Sequence, residues 1–296
     1  MRADDEVVLF KEPGRAVARR GGRLGTILAS EGKLGAEHIE RVLELQRDQG
    51  LRFGEAALRL SLITADDLRC AIAKQYGFPC LVPGSEYAGS ELIAACEPFH
   101  PRAEELRTLR TQLLIRWSNA GIRRRMLAVV SPVSVEGRSF LTANLGVVFS
   151  QLGERTLVID ADMRAPRQHR IFNAPNRIGL STLLAGRAGL DAVLPVPEFG
   201  TLSLLPAGAC PPNPQELLLR PAFPALLAEL QSEFDVILFD TPPAKLYADA
   251  QSLAFHAGSA VVLARKDHTR LADTAGAIRS LIDAGARIFG TVFNAF

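Results

Sequence analysis

Six apolar runs, at 127–131, 156–160, 202–206, 236–240, 260–264 and 288–293, alternate with helical stretches, notably 139–152, 214–231 and 269–284. A strand with one wet face alternates apolar and polar residues, whereas a strand that is apolar throughout must be covered on both faces. Strands of this second kind separated by helices predict an α/β domain, a mostly parallel sheet with helices on both faces. The prediction also limits where chemistry can sit, because open sheets of this type gather ligands at the carboxyl ends of their strands.

The residues before the first run are organised differently. Residues 1–22 are polar and basic (Arg15, Arg19, Arg20) and read as a loose tail, and 23–81 carry helical periodicity with caps expected at Gly35 or Thr64. Residues 82–100 begin with a Pro-, Gly- and Ser-rich stretch and read as a linker, leaving 101–296, opened by a helix at 102–117, as the α/β domain. The expected architecture is thus a small N-terminal helical domain ahead of a larger sheet domain. With 48% hydrophobic residues among 296, both can bury a core. A net charge of +2 predicts no general attraction to nucleic acid, and no apolar run reaches the roughly 18 residues of a membrane span, so a cytoplasmic location is expected. Cys70, Cys80, Cys96 and Cys210 have no ligand-like spacing and are expected to be free thiols.

The run at 127–131 leads into Pro132-Val-Ser-Val-Glu136-Gly137-Arg138-Ser139-Phe140. A nucleotide phosphate loop reads Gly-x-x-x-x-Gly-Lys-[Ser/Thr]: backbone N–H groups curl around phosphate, the lysine reaches the terminal groups and the hydroxyl holds Mg²⁺. Here Gly137 and Ser139 are kept, Pro132 replaces the first glycine and Arg138 replaces the lysine. Val133 and Val135 stand where the nest favours freely rotating residues, so strain is expected there. Two acidic elements follow at strand ends, Ile159-Asp160-Ala161-Asp162-Met163-Arg164-Ala165-Pro166 and Phe239-Asp240-Thr241-Pro242-Pro243. A carboxylate at the tip of a buried strand is costly unless a cation or hydrogen bonds meet it, which points to Mg²⁺.

The three elements in this order resemble the bacterial tyrosine kinases of polysaccharide export, over roughly residues 98–296. The segments Leu205-Pro-Ala-Gly208 and Gly290-Thr-Val-Phe-Asn294 are similar to the same family. The resemblance implies a P-loop NTPase-like fold that binds ATP and Mg²⁺ through Glu136, Gly137, Arg138, Ser139 and Phe140. It implies Arg138, Asp160 and Asp162 as catalytic groups and Ser139, Asp160 and Asp240 as metal ligands. It further implies an inner-membrane chain-length determinant as partner, through which the chain would lie peripheral to the membrane. The altered loop opens a second reading, a kinase fold without efficient transfer. The related cell-division ATPases carry an additional lysine, whose equivalent position here is Val133. Family kinases phosphorylate a tyrosine cluster in a tail; with Tyr76, Tyr87 and Tyr247 as the tyrosines of this sequence, that reaction is not expected here.

A repeat marks the N-terminal region. Arg23-Leu24-Gly25 superposes on Arg52-Phe53-Gly54 with a shift of 29, which also carries Leu28 to Ala57, Ile39 to Leu68, Leu43 to Ile72 and Gln46 to Gln75. The second copy departs from the first at Phe53, Ala57 and Ser61. The pattern is similar to the N-terminal domain of type II secretion and pilus-extension ATPases, one subclass of which binds cyclic di-GMP. That resemblance implies a ligand set of Arg23, Leu24, Gly25, Leu28, Ile39, Leu43, Gln46, Arg52, Phe53, Gly54, Leu68 and Gln75. Arginine suits phosphate or a guanine edge, and apolar side chains suit purine faces. The same apolar positions equally describe the core of a small helical bundle used for protein docking.

Glu104, Arg107 and Arg110 share one face of the helix at 102–117. By family resemblance this spacing is an assembly motif through which copies pack into a homo-oligomer; the plain alternative is a solvated face. The basic run 123–125 reads as a solvated loop, with acidic headgroups or a partner's tail as the alternative.

Overall fold

A computed structural model describes residues 24–77, 91–123 and 125–295, and the chain divides into two units, Met1–Phe78 and Pro79–Phe296. In the first, α1 (Leu24–Ser30), α2 (Ala36–Gln49), α3 (Phe53–Arg59) and α4 (Ala65–Gln75) realise the repeat. Helix starts move from 24 to 53 and from 36 to 65, the shift of 29 seen in the sequence. The turns match as well. Lys33 N donates to Leu28 O at 2.9 Å, and its counterpart Leu62 N donates to Ala57 O at 3.1 Å. Gly32 has φ 70°, and Ser61, its equivalent, keeps the left-handed conformation at φ 55° without a glycine. Thr64 caps α4 by accepting from Asp67 N at 3.1 Å, while Asp67 Oδ2 accepts from Thr64 N at 2.9 Å. Gly35 caps α2 without a side-chain bond. A side chain at Gly54 would collide with Leu68 at 2.6 Å, so that glycine permits close helix packing.

In the second unit a seven-stranded sheet runs in the order β3-β4-β2-β5-β1-β6-β7. Its strands are β1 (Arg125–Val130), β2 (Thr156–Asp160), β3 (Leu194–Pro195), β4 (Leu202–Leu205), β5 (Val236–Asp240), β6 (Ser259–Arg265) and β7 (Arg287–Asn294). All pairings are parallel except that of the short edge strand β3, which the sequence pattern did not reveal. Leu127, Val129, Val158, Leu238 and Val261 enter one core, with Trp117, Phe149 and Phe289. Ala128, Leu157, Ile159, Phe239 and Val262 enter the other, with Phe223 and Leu253. Both faces are covered, which is why the strands read as unbroken apolar runs.

The helices are α5 (Ile93–Cys96), α6 (Pro101–Asn119), α7 (Arg138–Ser150), α8 (Gln168–Ile171), α9 (Leu180–Leu184), α10 (Pro214–Leu219), α11 (Ala222–Glu233), α12 (Asp249–Ala257) and α13 (Leu271–Asp283). The single helix expected over 214–231 is two, because Pro221 cannot donate to continue the first. Within the stretch read as linker, Ile93–Cys96 instead form α5, with Ala94 and Ala95 buried together with the preceding Leu92. Buried Asn144 of α7 explains this: it accepts from Ala94 N at 3.0 Å and donates to Glu91 O at 2.8 Å. Gly146 lets α7 lie against β2, where a Cβ would stand 2.6 Å from Val158.

Cys96 and Cys210 are free thiols, but Cys70 is disulfide-bonded, correcting the expectation for it; sequence spacing does not report the spatial proximity a disulfide requires. Cys80 and Tyr87 lie outside the described residues. Among the described residues, no helix is long and apolar enough to cross a membrane.

Candidate functional site

The strand order places β5 between β2 and β1, so the acidic strand ends and the loop after β1 meet at one edge. Asp160 and Asp240 are register partners, and both are buried. The Ser139 side chain lies near enough to Asp240 to help hold its carboxyl pKa down. Gln168 completes the cluster: its Nε2 donates to Asp240 Oδ2 at 2.8 Å and to Ser139 O at 3.0 Å. Asp160 Oδ2 accepts the amides of Arg167 and Gln168, each at 2.9 Å. Ser139, Asp160 and Asp240 therefore converge, as the sequence reading required. Gln168 was missed, since a glutamine beyond Pro166 carries no signal until the chain folds back over the strand ends.

Asp160 Oδ1, Asp240 Oδ1 and Gln168 Oε1 are buried without hydrogen-bond partners. Burial pushes the Asp160 carboxyl well above its ordinary range, Asp240's charge adds to the rise, and the two amide bonds oppose it. Burial likewise pushes Asp240 up to about 6, against the Arg138 charge, the nearby Ser139 side chain and the hydrogen bond from Gln168. Two adjacent acids that each resist ionisation and each keep a free oxygen suit a divalent cation, which would satisfy both. The donors present thus fit Mg²⁺. Asp162 does not join them. Its Oδ1 accepts from Ala165 N at 3.0 Å, and its Oδ2 stands 4.0 Å from Arg138. No cluster of three or more His, Cys, Asp or Glu suited to a metal occurs among the described residues.

The loop itself is tied inward. Arg138 is buried; its Nε donates to Thr241 O at 2.7 Å and its Nη1 donates to Val133 O at 2.7 Å and to the Ser131 hydroxyl. Glu136 is 0% exposed, and its Oε2 accepts Val133 N at 2.8 Å. Its other oxygen accepts the Thr269 hydroxyl, and Asn294 Nδ2 donates to its carbonyl at 3.0 Å. Gly137 has φ 98° and Val135 φ 62°. A β-branched residue there is strained by roughly 1–3 kcal/mol, as the sequence led us to expect for Val135; Val133, expected to share that strain, does not have a positive φ. Arg265 Nη1 secures the strained residue by donating to Val135 O at 3.1 Å. Phe140 is half-buried on α7, and its carbonyl accepts from Asn144 Nδ2 at 2.9 Å.

Outside the cluster, Arg164 pairs with buried Asp249 at 3.0 Å and lies 4.1 Å above the Tyr247 ring. Sequence reasoning overlooked this latch, whose partners are 85 residues apart. On α6, Arg107 donates to Glu104 at 3.0 Å and to Pro98 O at 2.7 Å, and half-buried Arg110 donates to Val148 O at 2.7 Å. Glu104 alone of the three projects mainly into solvent. Arg125 of the basic run pairs with Glu154 at 2.7 Å, and Arg124 lies outside the described residues.

The N-terminal candidates spread over core and surface. Leu28 is 0% exposed and Gly54 is buried, so in this conformation neither presents surface to a ligand. Leu24, Gly25, Ile39, Gln46, Phe53 and Leu68 are half-buried; Leu43, Arg52 and Gln75 are exposed. Arg23 lies outside the described residues.

No family model matches the chain. It is 34% identical over 205 residues to the putative tyrosine-protein kinase CapB of Staphylococcus aureus, covering 69% of this chain and 89% of that one. It is 36% identical over 207 residues to the putative tyrosine-protein kinase EpsB of Ralstonia solanacearum, covering 70% of this chain but spanning only 27% of that relative's length. Among solved structures, the kinase domain of the Escherichia coli tyrosine kinase ETK aligns with a TM-score of 0.65 and 27% identity, covering 69% of this chain and 79% of the other. The septum site-determining protein MinD of Pyrococcus horikoshii, complexed with Mg-ADP, aligns with a TM-score of 0.50 and 27% identity, covering 57% and 69%.

Proposed function

Because this chain belongs to the bacterial tyrosine-protein kinase family, we propose that it serves exopolysaccharide production and export as a Mg²⁺–nucleotide-binding regulator whose altered phosphate loop no longer transfers phosphate efficiently. The unpartnered oxygens of Asp160 and Asp240 beside Ser139 carry the nucleotide reading. Bound there, Mg²⁺ would neutralise phosphate charge. Ser139, Asp160 and Asp240 would hold it, and the amides from Gly137 to Phe140 would face the phosphates at the start of α7. The inward tie of Arg138 speaks against transfer, since catalysis of this kind depends on charge placed against the terminal phosphate. The competing reading, an active tyrosine kinase, draws on the survival of Asp160, Asp162 and Asp240 together.

Incubation of the full chain with labelled ATP and Mg²⁺, followed by phosphotyrosine detection, separates the two. The regulator should show no phosphotyrosine above that of Asp160→Asn, and clear labelling lost in that variant would establish the kinase instead.

Regulation would enter through the N-terminal unit, with cyclic di-GMP as its ligand and a membrane chain-length determinant as the partner that responds. The exposed Leu43 and Arg52 are the groups best placed to meet such a ligand. Assembly of copies would use the outward-facing Glu104. Calorimetry of cyclic di-GMP against the full chain should show binding weakened in Arg52→Ala, and light scattering should show a lower mass for Glu104→Lys. Absence of heat removes the messenger from the proposal, and an unchanged mass removes the assembly role.

A further inference from the structure

We infer that the phosphate loop of this chain selects nucleoside diphosphates over triphosphates, because its front half is occupied by the protein's own charged side chains. The inference rests on the nucleotide-site reading above. It concerns which part of that site remains open.

The rear of the loop is free. The amides of Arg138, Ser139 and Phe140 take no acceptor among the described residues, as expected for the first turn of a helix that awaits an anion. Beside them lie the buried, unpartnered oxygens of Asp160, Asp240 and Gln168, a second feature that calls for a bound cation. An anchored diphosphate and its metal have what they need.

The front of the loop is closed. The Val133 amide, which in a phosphate nest would point at an anion, already donates to Glu136 Oε2 at 2.8 Å. The Thr269 hydroxyl accepts from Arg265 N at 2.7 Å, so its proton is directed to the other Glu136 oxygen. Glu136 thus accepts on both oxygens and stands in the loop as an internal anion. Arg138, at the position of the residue that should greet a terminal phosphate, holds three oxygens: Thr241 O, Val133 O and the Ser131 hydroxyl. Its remaining Nη2 looks toward Asp162 at 4.0 Å. A third phosphate would have to break these bonds and would meet the negative Glu136. Arginine makes this possible where lysine would not, because its planar fork can hold several loop oxygens at once.

The test is a titration of the full chain, with Mg²⁺ present, by ADP and by a non-hydrolysable ATP analogue. Displacing one charge-assisted hydrogen bond weakens binding by roughly tenfold to a hundredfold, so ADP should bind tighter than the analogue by at least about tenfold. Arg138→Lys, which frees the front of the loop, should close most of that gap, and circular dichroism would show that the variant is folded. If it does not fold, Glu136→Gln serves in its place and should raise affinity for the analogue. Equal affinities in the wild type, or a ratio unchanged in both folded variants, overturn the inference while leaving the nucleotide site intact. If neither nucleotide binds, the inference and the site fall together.

Discussion

Replacing Asp240 by asparagine is expected to raise the melting temperature at pH 8 and to abolish stabilisation by Mg²⁺–ADP. The sign follows from the raised pKa values. A carboxyl group whose folded value lies above its unfolded value stabilises the fold fully below the unfolded value and loses that contribution as pH rises through the folded value. For Asp240 the window runs from the ordinary 3.8 to about 6, and Asp160 shifts in the same direction through burial and Asp240's charge. The nucleotide-free wild type should therefore be more stable at pH 5 than at pH 8 through this pair. Asp240→Asn removes the like-charge neighbour, a gain on the order of 2 kcal/mol at pH 8, or roughly 4–8 °C in a unit of this size. Saturating Mg²⁺–ADP, at about a hundred times its dissociation constant, should give the wild type about 2.7 kcal/mol and the variant almost none. Differential scanning fluorimetry at both pH values reads all of this. A variant that melts lower than wild type at pH 8, or that keeps the full response to Mg²⁺–ADP, would show that Asp240 is not part of a cation site.

Arg164→Met is expected to destabilise the sheet unit by roughly 3 kcal/mol, because it leaves Asp249, 1% exposed, without its cation. The value is set at the lower end of that range since Arg164 is itself partly exposed, with 28% of its side-chain surface open. The melting temperature should fall by roughly 6–12 °C. Replacing both partners, Arg164→Met with Asp249→Leu, should recover most of the loss, since an apolar pair of similar volume strands no charge. A single variant that melts within about 1 °C of wild type would mean the latch contributes little. A double variant no better than the single would place the loss in the Tyr247 contact instead.

How much of this was legible beforehand differs by element. The six apolar runs became β1, β2, β4, β5, β6 and β7, because strands buried on both faces leave a compositional mark that needs no partner to be read. The 29-residue repeat became two copies of one helical pair, down to a left-handed turn that Ser61 keeps without glycine. Strand β3 escaped notice because two residues carry no period, and α12 because its sequence was not distinguished from the loop before it. The linker was drawn too long because nothing local to residues 92–96 shows that Asn144, some 50 positions on, will hold their backbone.

At the site the division is sharper. Sequence alone determined that Asp160 and Asp240 sit at strand ends and that Ser139 follows the loop after the first strand, because a parallel α/β pattern turns position along a strand into position at one edge of the sheet. It also determined that Val135 would be strained, since backbone sterics belong to the residue. Only the tertiary structure decided that Arg138 turns inward onto Val133 and Thr241, that Glu136 meets Thr269, and that Gln168 closes over Asp240. Each of those contacts depends on where a long side chain finds its nearest oxygen after the strands have been ordered β2-β5-β1, and residue spacing holds no record of that order.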